Sequence, residues 1–156
     1  MTRAGVTTDE GKGGRQSTGR TNDSTWLQHD ATPIVWSIVK KLSALVGISS
    51  EQAEDVQVIH YKASQEYRKH WDAYNPLNER GRNATKNGGN RLVTALLYLS
   101  EDFTGGGTGF INMRFECAPE IGKLLVRHTT ARRRHKLAFF SPRQCGGIMW
   151  RGPWRS

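Results

Sequence analysis

One helical pattern followed by a series of short strand patterns constrains the fold of this chain more than any other feature. Thr32 is a good N-cap residue, Pro33 suits the first helical position, and Gly47 is typical of the residue that ends a helix. Between them the apolar residues recur at three- and four-residue steps, at Ile34, Val35, Ile38, Val39, Leu42, Leu45 and Val46. Spacing of this kind predicts one amphipathic helix.

The chain after this helix is divided into short runs by turns that contain glycine or proline. Residues 56–61 alternate, with Val56 and Val58 on one face and Ile59 and Tyr61 on the other. The predicted strands are 56–61, 67–74, 92–99, 108–113 and 124–126, with a long polar loop at 75–90. We therefore predict a mostly β fold, a sandwich or barrel with one helix packed against it.

The positive charge of the chain is concentrated near its C-terminus. The net charge is +9, and nine of the 23 Lys and Arg residues lie in residues 121–156, which contain no Asp or Glu. The first 120 residues are therefore balanced, with 14 basic and 14 acidic side chains, and the basic segment describes a tail. No apolar run is long enough for a transmembrane helix, and residues 1–20 lack the apolar core of a signal peptide.

A candidate metal site is carried by the sequence His70-Trp71-Asp72. Side chains two residues apart on a strand share a face, so one imidazole and one carboxylate would point the same way. With a second histidine from elsewhere, they would form the facial triad of non-haem Fe(II) oxygenases. A His-x-Asp pair is weak evidence by itself, because a surface His and Asp in a strand and turn would give the same pattern.

The segments around this pair, taken together, resemble the catalytic domain of the prolyl 4-hydroxylase family. The resemblance extends from about residue 15 to Val126 and rests on the order of its motifs. These are Arg20-Thr-Asn22, Gln57-Val-Ile-His-Tyr61, Tyr67-Arg-Lys-His70-Trp-Asp72, Gly88-Gly-Asn-Arg91-Leu-Val-Thr94-Ala-Leu-Leu-Tyr98-Leu99, Gly105-Gly-Gly-Thr108-Gly-Phe110 and Ala118-Pro119-Glu-Ile-Gly122-Lys-Leu-Leu125.

The resemblance implies a double-stranded β-helix, a jelly-roll-like barrel, here incomplete at both ends. It implies Fe(II), 2-oxoglutarate as cosubstrate, dioxygen and L-ascorbate, with peptidyl proline or a related residue as the substrate. His70 and Asp72 would be iron ligands, and Tyr67 would lie near the substrate residue. Tyr61 would hydrogen-bond the far carboxylate of 2-oxoglutarate, and Thr94 would line the same pocket. Tyr61 and Thr94 could equally be ordinary strand residues, and Tyr67 could simply pack beside the metal strand.

The family pattern is lost after Val126. A second histidine ligand and, about ten residues later, a basic residue for the cosubstrate carboxylate should follow. His135 and Arg143 are the candidates that we assign, although His128 and Arg151 compete with them and none is in register. We divide the chain into a flexible leader at 1–14, a dioxygenase core at 15–126 and a divergent basic tail at 127–156, and we expect impaired turnover.

Two other functions remain open from the sequence. The chain could be a catalytically inactive member of the same fold, or its basic tail, with Trp150 and Trp154, could bind nucleic acid. The neutral composition of residues 1–120 argues against the second. Family members often work in the endoplasmic reticulum, but the sequence assigns no compartment.

Overall fold

The structure of the chain, a computed structural model, describes residues 1–3, 5, 6, 15, 16, 19–86, 88–129, 137–139 and 145–153. In this part of the chain the strands are β1 Thr2–Arg3, β2 Gly5–Val6, β3 Arg15–Gln16, β4 Asp23–Leu27, β5 Val56–Tyr61, β6 Tyr67–His70, β7 Arg91–Tyr98, β8 Thr108–Phe110, β9 Phe115–Cys117, β10 Leu124–His128, β11 Leu137–Phe139 and β12 Cys145–Pro153. The helices are α1 Pro33–Val46 and α2 Glu79–Thr85, with 3-10 turns at Ser50–Gln52 and Ile111–Met113.

The strands form two main antiparallel sheets. The larger has six strands in the order β1-β4-β5-β12-β7-β10, and the smaller has four in the order β6-β11-β8-β9. Strands β2 and β3 form a separate pair. Apart from β8 and β9, neighbours in these two sheets are distant in sequence, as in a jelly-roll-like barrel.

Helix α1 has the predicted ends. The Thr32 hydroxyl accepts a hydrogen bond from the backbone N–H of Val35, and Gly47 ends the helix in the left-handed region with φ of 69°. Its apolar face packs on one side of the six-stranded sheet, where Val39 and Val56 are almost completely buried. Burial of this apolar face holds the helix on the sheet.

A second apolar cluster lies on the opposite face of the same sheet, inside the barrel. It contains Ile59, Tyr61, Leu96, Tyr98 and Met149. The predicted division of strand β5 into two faces is therefore confirmed, since Val56 and Val58 contact the helix side. This arrangement leaves alternate residues of β5, β7 and β12 facing the barrel interior.

Several predicted elements differ from those observed. The strand expected at 67–74 ends at His70, and the one expected at 108–113 becomes a 3-10 turn after Phe110. The segment expected to be a loop at 75–90 contains α2, which begins where the Asn78 side chain accepts a hydrogen bond from the N–H of Gly81. This helix is short and polar, so it leaves no apolar periodicity in the sequence.

The C-terminal segment contributes a strand that the sequence pattern did not reveal. Strand β12 pairs with both β5 and β7 and thus lies in the middle of the larger sheet. Among the described residues, neither helix is long and apolar enough to cross a membrane.

Candidate metal centre

His70 and Asp72 converge as the sequence predicted, although only the histidine belongs to a strand. His70 is the last residue of β6, and its Nε2 lies 3.1 Å from Oδ1 of Asp72, which is in the bend that follows. Nδ1 of His70 lies 2.8 Å from the carbonyl oxygen of Arg68, which can only accept a hydrogen bond. Nδ1 therefore carries a proton. Nε2 faces the carboxylate, to which the imidazolium would donate a hydrogen bond and a neutral imidazole would turn its lone pair.

Two electron pairs that face each other across 3.1 Å require a proton or a cation between them. Two neighbouring ligands on an octahedral ion with bonds of about 2.1 Å stand roughly 3 Å apart. The observed separation therefore fits a divalent metal held by His70 and Asp72.

The other oxygen of Asp72 is occupied by donors from the sheet. The Thr94 hydroxyl donates to Oδ2 at 2.7 Å, and Nη2 of Arg127 donates to the same oxygen. Nη2 of Arg151 lies 3.8 Å from Oδ1. The Asp72 side chain is only 1% exposed, so these partners hold it in one orientation and leave Oδ1 for a metal.

Charge around Asp72 keeps it ionised. Burial by itself would raise the pKa of Asp72, but Arg151, the hydrogen bond from His70 and Arg127 outweigh that effect and hold the pKa well below its usual range. A carboxylate ligand must be ionised to bind a metal, and here it is.

The sheet register explains why these side chains meet. Thr94 of β7 pairs with Arg127 of β10 on one side and with Arg151 of β12 on the other. Residues directly opposite each other in antiparallel strands point to the same face, so the three side chains form a row beneath Asp72. Thr94 was expected to line a cosubstrate pocket, and in the structure its hydroxyl contacts the carboxylate of Asp72.

The third predicted ligand, His135, and the predicted cosubstrate base, Arg143, lie outside the described residues. His128, the alternative ligand, follows Arg127 on β10, is exposed and therefore faces away from Asp72. Within the described ranges, no group of three or more His, Cys, Asp and Glu side chains could hold a metal.

Tyr67 borders the candidate metal site. Its ring stacks on the His70 ring, with centroids 3.6 Å apart and planes 13° from parallel, and the guanidinium of Arg20 lies 4.7 Å from the tyrosine centroid. Burial raises the pKa of Tyr67, so its hydroxyl stays protonated. The stack restrains the orientation of the His70 ring. Tyr61, the other predicted site tyrosine, lies in the apolar cluster inside the barrel.

An open cleft of about 550 Å³ lies in front of this pair, and its lining includes Tyr67, His70, Asp72 and Arg151. Arg91 also lines it and forms an ion pair with Glu54 at 2.5 Å and 2.9 Å. Arg127 contacts Asp72 but was not among the predicted site residues. No motif in the sequence marks it, because only the pairing of β10 with β7 brings it to Asp72.

Comparison with known proteins identifies the family. Residues 56–144 match the family model described as the 2OG-Fe(II) oxygenase superfamily, which is more than half of the chain. The chain belongs to this superfamily. The family uses Fe(II) and 2-oxoglutarate, and ascorbate is usual for it, so the predicted cofactors are confirmed.

Among curated relatives, the chain is 34% identical over 126 residues to probable prolyl 4-hydroxylase 3 of Arabidopsis thaliana, which covers 80% of the chain and 42% of that protein. It is 28% identical over 117 residues to a putative prolyl 4-hydroxylase of Acanthamoeba polyphaga mimivirus, covering 75% of the chain and 48% of the relative. The chain thus spans less than half the length of these relatives. The predicted resemblance to prolyl 4-hydroxylases is confirmed.

Solved structures support the fold. A prolyl-4-hydroxylase from Pseudomonas putida gives a TM-score of 0.70 at 19% identity, covering 98% of this chain and 77% of that one. The viral collagen prolyl hydroxylase from Paramecium Bursaria Chlorella virus-1, solved with 2OG, gives 0.69 at 19% identity, covering 85% and 78%. The fold is the predicted double-stranded β-helix.

Proposed function

We propose that this chain is the catalytic domain of an Fe(II)- and 2-oxoglutarate-dependent dioxygenase that hydroxylates peptidyl proline or a related residue. The observation that carries the proposal is the convergence of His70 Nε2 and Asp72 Oδ1 at 3.1 Å at the wall of an open cleft. Family membership supplies the chemistry, and the prolyl 4-hydroxylase relatives indicate the substrate class.

In this proposal His70 and Asp72 hold the iron, with His135 as the third ligand. Thr94 and Arg127 orient the Asp72 carboxylate so that Oδ1 remains available. Tyr67 fixes the plane of the His70 imidazole by stacking and borders the space where the substrate residue binds. Bound iron would activate dioxygen, with one oxygen atom going into the substrate C–H bond and the other into succinate as 2-oxoglutarate loses carbon dioxide.

The cosubstrate is a dianion and needs cationic partners. The Arg151 side chain is 5% exposed and lines the cleft. Its guanidinium stands beyond hydrogen-bonding distance from Asp72 and from Glu54, at 3.8 Å in each case. We assign to Arg151 a carboxylate of 2-oxoglutarate on the metal side. Tyr61, with Arg143, remains our proposal for the far carboxylate.

An anaerobic titration tests the function. Adding Fe(II) and then 2-oxoglutarate to the chain should produce the visible charge-transfer band of a chelated 2-oxo acid, and air with ascorbate and a proline-rich peptide should then yield succinate. Asp72→Asn should abolish both signals because it removes an anionic ligand. Asp102→Asn, a matched change at an exposed residue outside the cleft, should retain both.

The same titration addresses the alternative of a catalytically inactive fold. A chain that binds neither iron nor 2-oxoglutarate would support that alternative and refute the proposed activity. A band without succinate would separate cosubstrate binding from turnover.

A further inference from the structure

The cleft in front of His70 and Asp72 is strongly cationic. Among its lining residues Asp72 is the only acidic side chain, whereas six are basic: Arg20, Arg68, Lys69, Arg80, Arg91 and Arg151. Residues 1–120 contain equal numbers of basic and acidic side chains, yet five of these six basic residues come from that part of the chain and line one surface of the described structure. Such a concentration of one sign raises the local concentration of ligands of the opposite sign.

Some of these cations are already neutralised by carboxylates. Arg91 pairs with Glu54, and Arg68 pairs with Glu66 at 2.6 Å. Asp72 is held by Arg127 and His70. These pairs therefore account for little of the attraction that the cleft can offer to a ligand.

Arg20 is a buried cation without a carboxylate partner in the described structure. It is 5% exposed, and it donates hydrogen bonds to two neutral amide oxygens, Oδ1 of Asn22 at 2.9 Å and Oε1 of Gln57 at 3.0 Å. The ring of Tyr67 lies 4.7 Å from its guanidinium, and Asp72 acts on it through charge alone, without a hydrogen bond among the described residues. Burying a guanidinium whose hydrogen-bond partners are neutral is costly, so the position favours an incoming anion.

Lys69 adds a second cation at the same wall. It lies on β6, is exposed, and its side chain has no ion pair or hydrogen bond among the described residues. A β-bridge between Arg20 and Tyr67 joins the two segments side by side. Arg20 and Lys69 both line the cleft, so one extended ligand in it can contact both.

The shape of the cleft suits an extended chain. A second cavity of about 500 Å³ shares Trp26, Tyr74 and Arg91 with the first, so the two adjoin at an aromatic wall. Glu51 and Glu54 line the second cavity, so the excess of positive charge belongs to the first. Aromatic grooves are the usual surfaces for proline-rich segments in the polyproline II conformation.

We propose that this cleft selects acidic peptides, and that Arg20 and Lys69 bind a carboxylate side chain of the substrate close to the residue that is modified. The inference rests on the proposed function for the identity of the ligand as a peptide, but it concerns binding and is testable without turnover.

The test uses three fluorescein-labelled nonapeptides in which proline alternates with Glu, Gln or Lys, and measures anisotropy with the full chain. We expect the Glu peptide to bind at least about ten-fold more tightly than the Gln peptide at low salt, and the Lys peptide to bind most weakly. The difference should shrink as salt shortens the range of the interaction.

Variants locate the effect. Lys69→Gln should lower the ratio of Glu to Gln affinity by about three-fold or more and leave the Gln peptide unchanged. Lys41→Gln, which removes one exposed charge from α1 outside the cleft, should leave the ratio unchanged. Arg20→Gln should have a larger effect than Lys69→Gln, and Lys69→Gln alone decides the matter if the buried substitution impairs folding.

Equal affinities for the Glu and Gln peptides at low salt would overturn the inference, as would an equal loss in Lys41→Gln. An oligothymidine that binds more tightly than the Glu peptide and is weakened by Lys69→Gln would overturn it in favour of nucleic acid. Hydroxylation of the Gln peptide with the same KM as the Glu peptide would refute this inference and uphold the proposed function. Tight binding of the Glu peptide without its hydroxylation would uphold this inference and refute the proposed function.

Discussion

Asp72 combines almost complete burial with several positive neighbours. Its Oδ2 accepts hydrogen bonds from Thr94 and Arg127, and its Oδ1 faces His70 Nε2. A buried carboxylate is tolerated only when it is paired and hydrogen-bonded. The same residues that stabilise Asp72 therefore also keep Oδ1, the oxygen that we propose binds the metal, in place.

Replacing Arg127 with methionine should destabilise the metal-free protein by about 3 kcal/mol, since it removes one partner of a buried ion pair. The free energy of unfolding in urea, with a chelator present, measures this effect. Arg68→Met is the matched control, because the Arg68 side chain is 64% exposed in its pair with Glu66, and should cost less than about 1 kcal/mol. Equal losses in the two variants would show that Asp72 does not depend on Arg127.

The pH dependence of stability gives a second measure of the same contact. The pKa of Asp72 is lowered in the folded state, so its contribution is fully present above the unfolded value of about 3.9 and is lost as pH falls towards the folded value. Without Arg127 the folded pKa rises, so the free energy of unfolding should fall less steeply below pH 4 or so in Arg127→Met than in the native chain.

At the scale of elements, α2 forms one wall of the cleft. Asn78, Arg80 and Gly81 of this region line it. Gly81 is buried at the start of the helix, and a Cβ built there would lie 1.7 Å from the carbonyl oxygen of Asn75. Glycine is therefore required by the close approach of two backbone segments.

Gly81→Ala should lower the free energy of unfolding by about 1–3 kcal/mol, the usual cost of overpacking, and should weaken binding in the cleft. Thermal denaturation and peptide anisotropy measure the two effects. Gly107→Ala serves as the control, because its Cβ would meet the flexible carboxylate end of Glu116 at 1.9 Å, and a rotamer change there costs about 1 kcal/mol. A larger loss at Gly107 would contradict this account.

At the scale of the whole molecule, β12 joins the two halves of the larger sheet. It pairs with β5 through residues 145–149 and with β7 through residues 147–153. Ile148 belongs to the core under α1, and Met149 belongs to the core inside the barrel. The divergent sequence predicted that residues 127–156 form a tail, whereas these contacts make part of that segment central.

Deleting residues 145–156 should abolish cooperative unfolding, because it exposes both apolar faces and leaves the facing edges of β5 and β7 unpaired. Circular dichroism during heating and gel filtration test this expectation. Deleting residues 2–6, which removes only β1 at the sheet edge and β2, should preserve a cooperative transition. A shortened chain that still melts cooperatively would favour a separable tail.

The sequence by itself determined helix α1, strands β5 and β7 and the pair of His70 and Asp72, because each depends on residues close together in the chain. Caps, periodicity and the His-x-Asp spacing are local features. The motif order added the family. Helix α2 was missed, because a short polar helix capped by Asn78 has no apolar face.

Only the tertiary structure decided what surrounds Asp72 and what the cleft attracts. Arg127, Thr94 and Arg151 meet because three strands far apart in sequence pair in one register, and a shift by one residue would turn the basic side chains to the other face. Residues 1–120 contain equal numbers of basic and acidic side chains, but strand pairing and burial determine which of these charges face the cleft. Strand register and the proximity of these side chains depend on residues far apart in the chain, so no local sequence pattern predicts them.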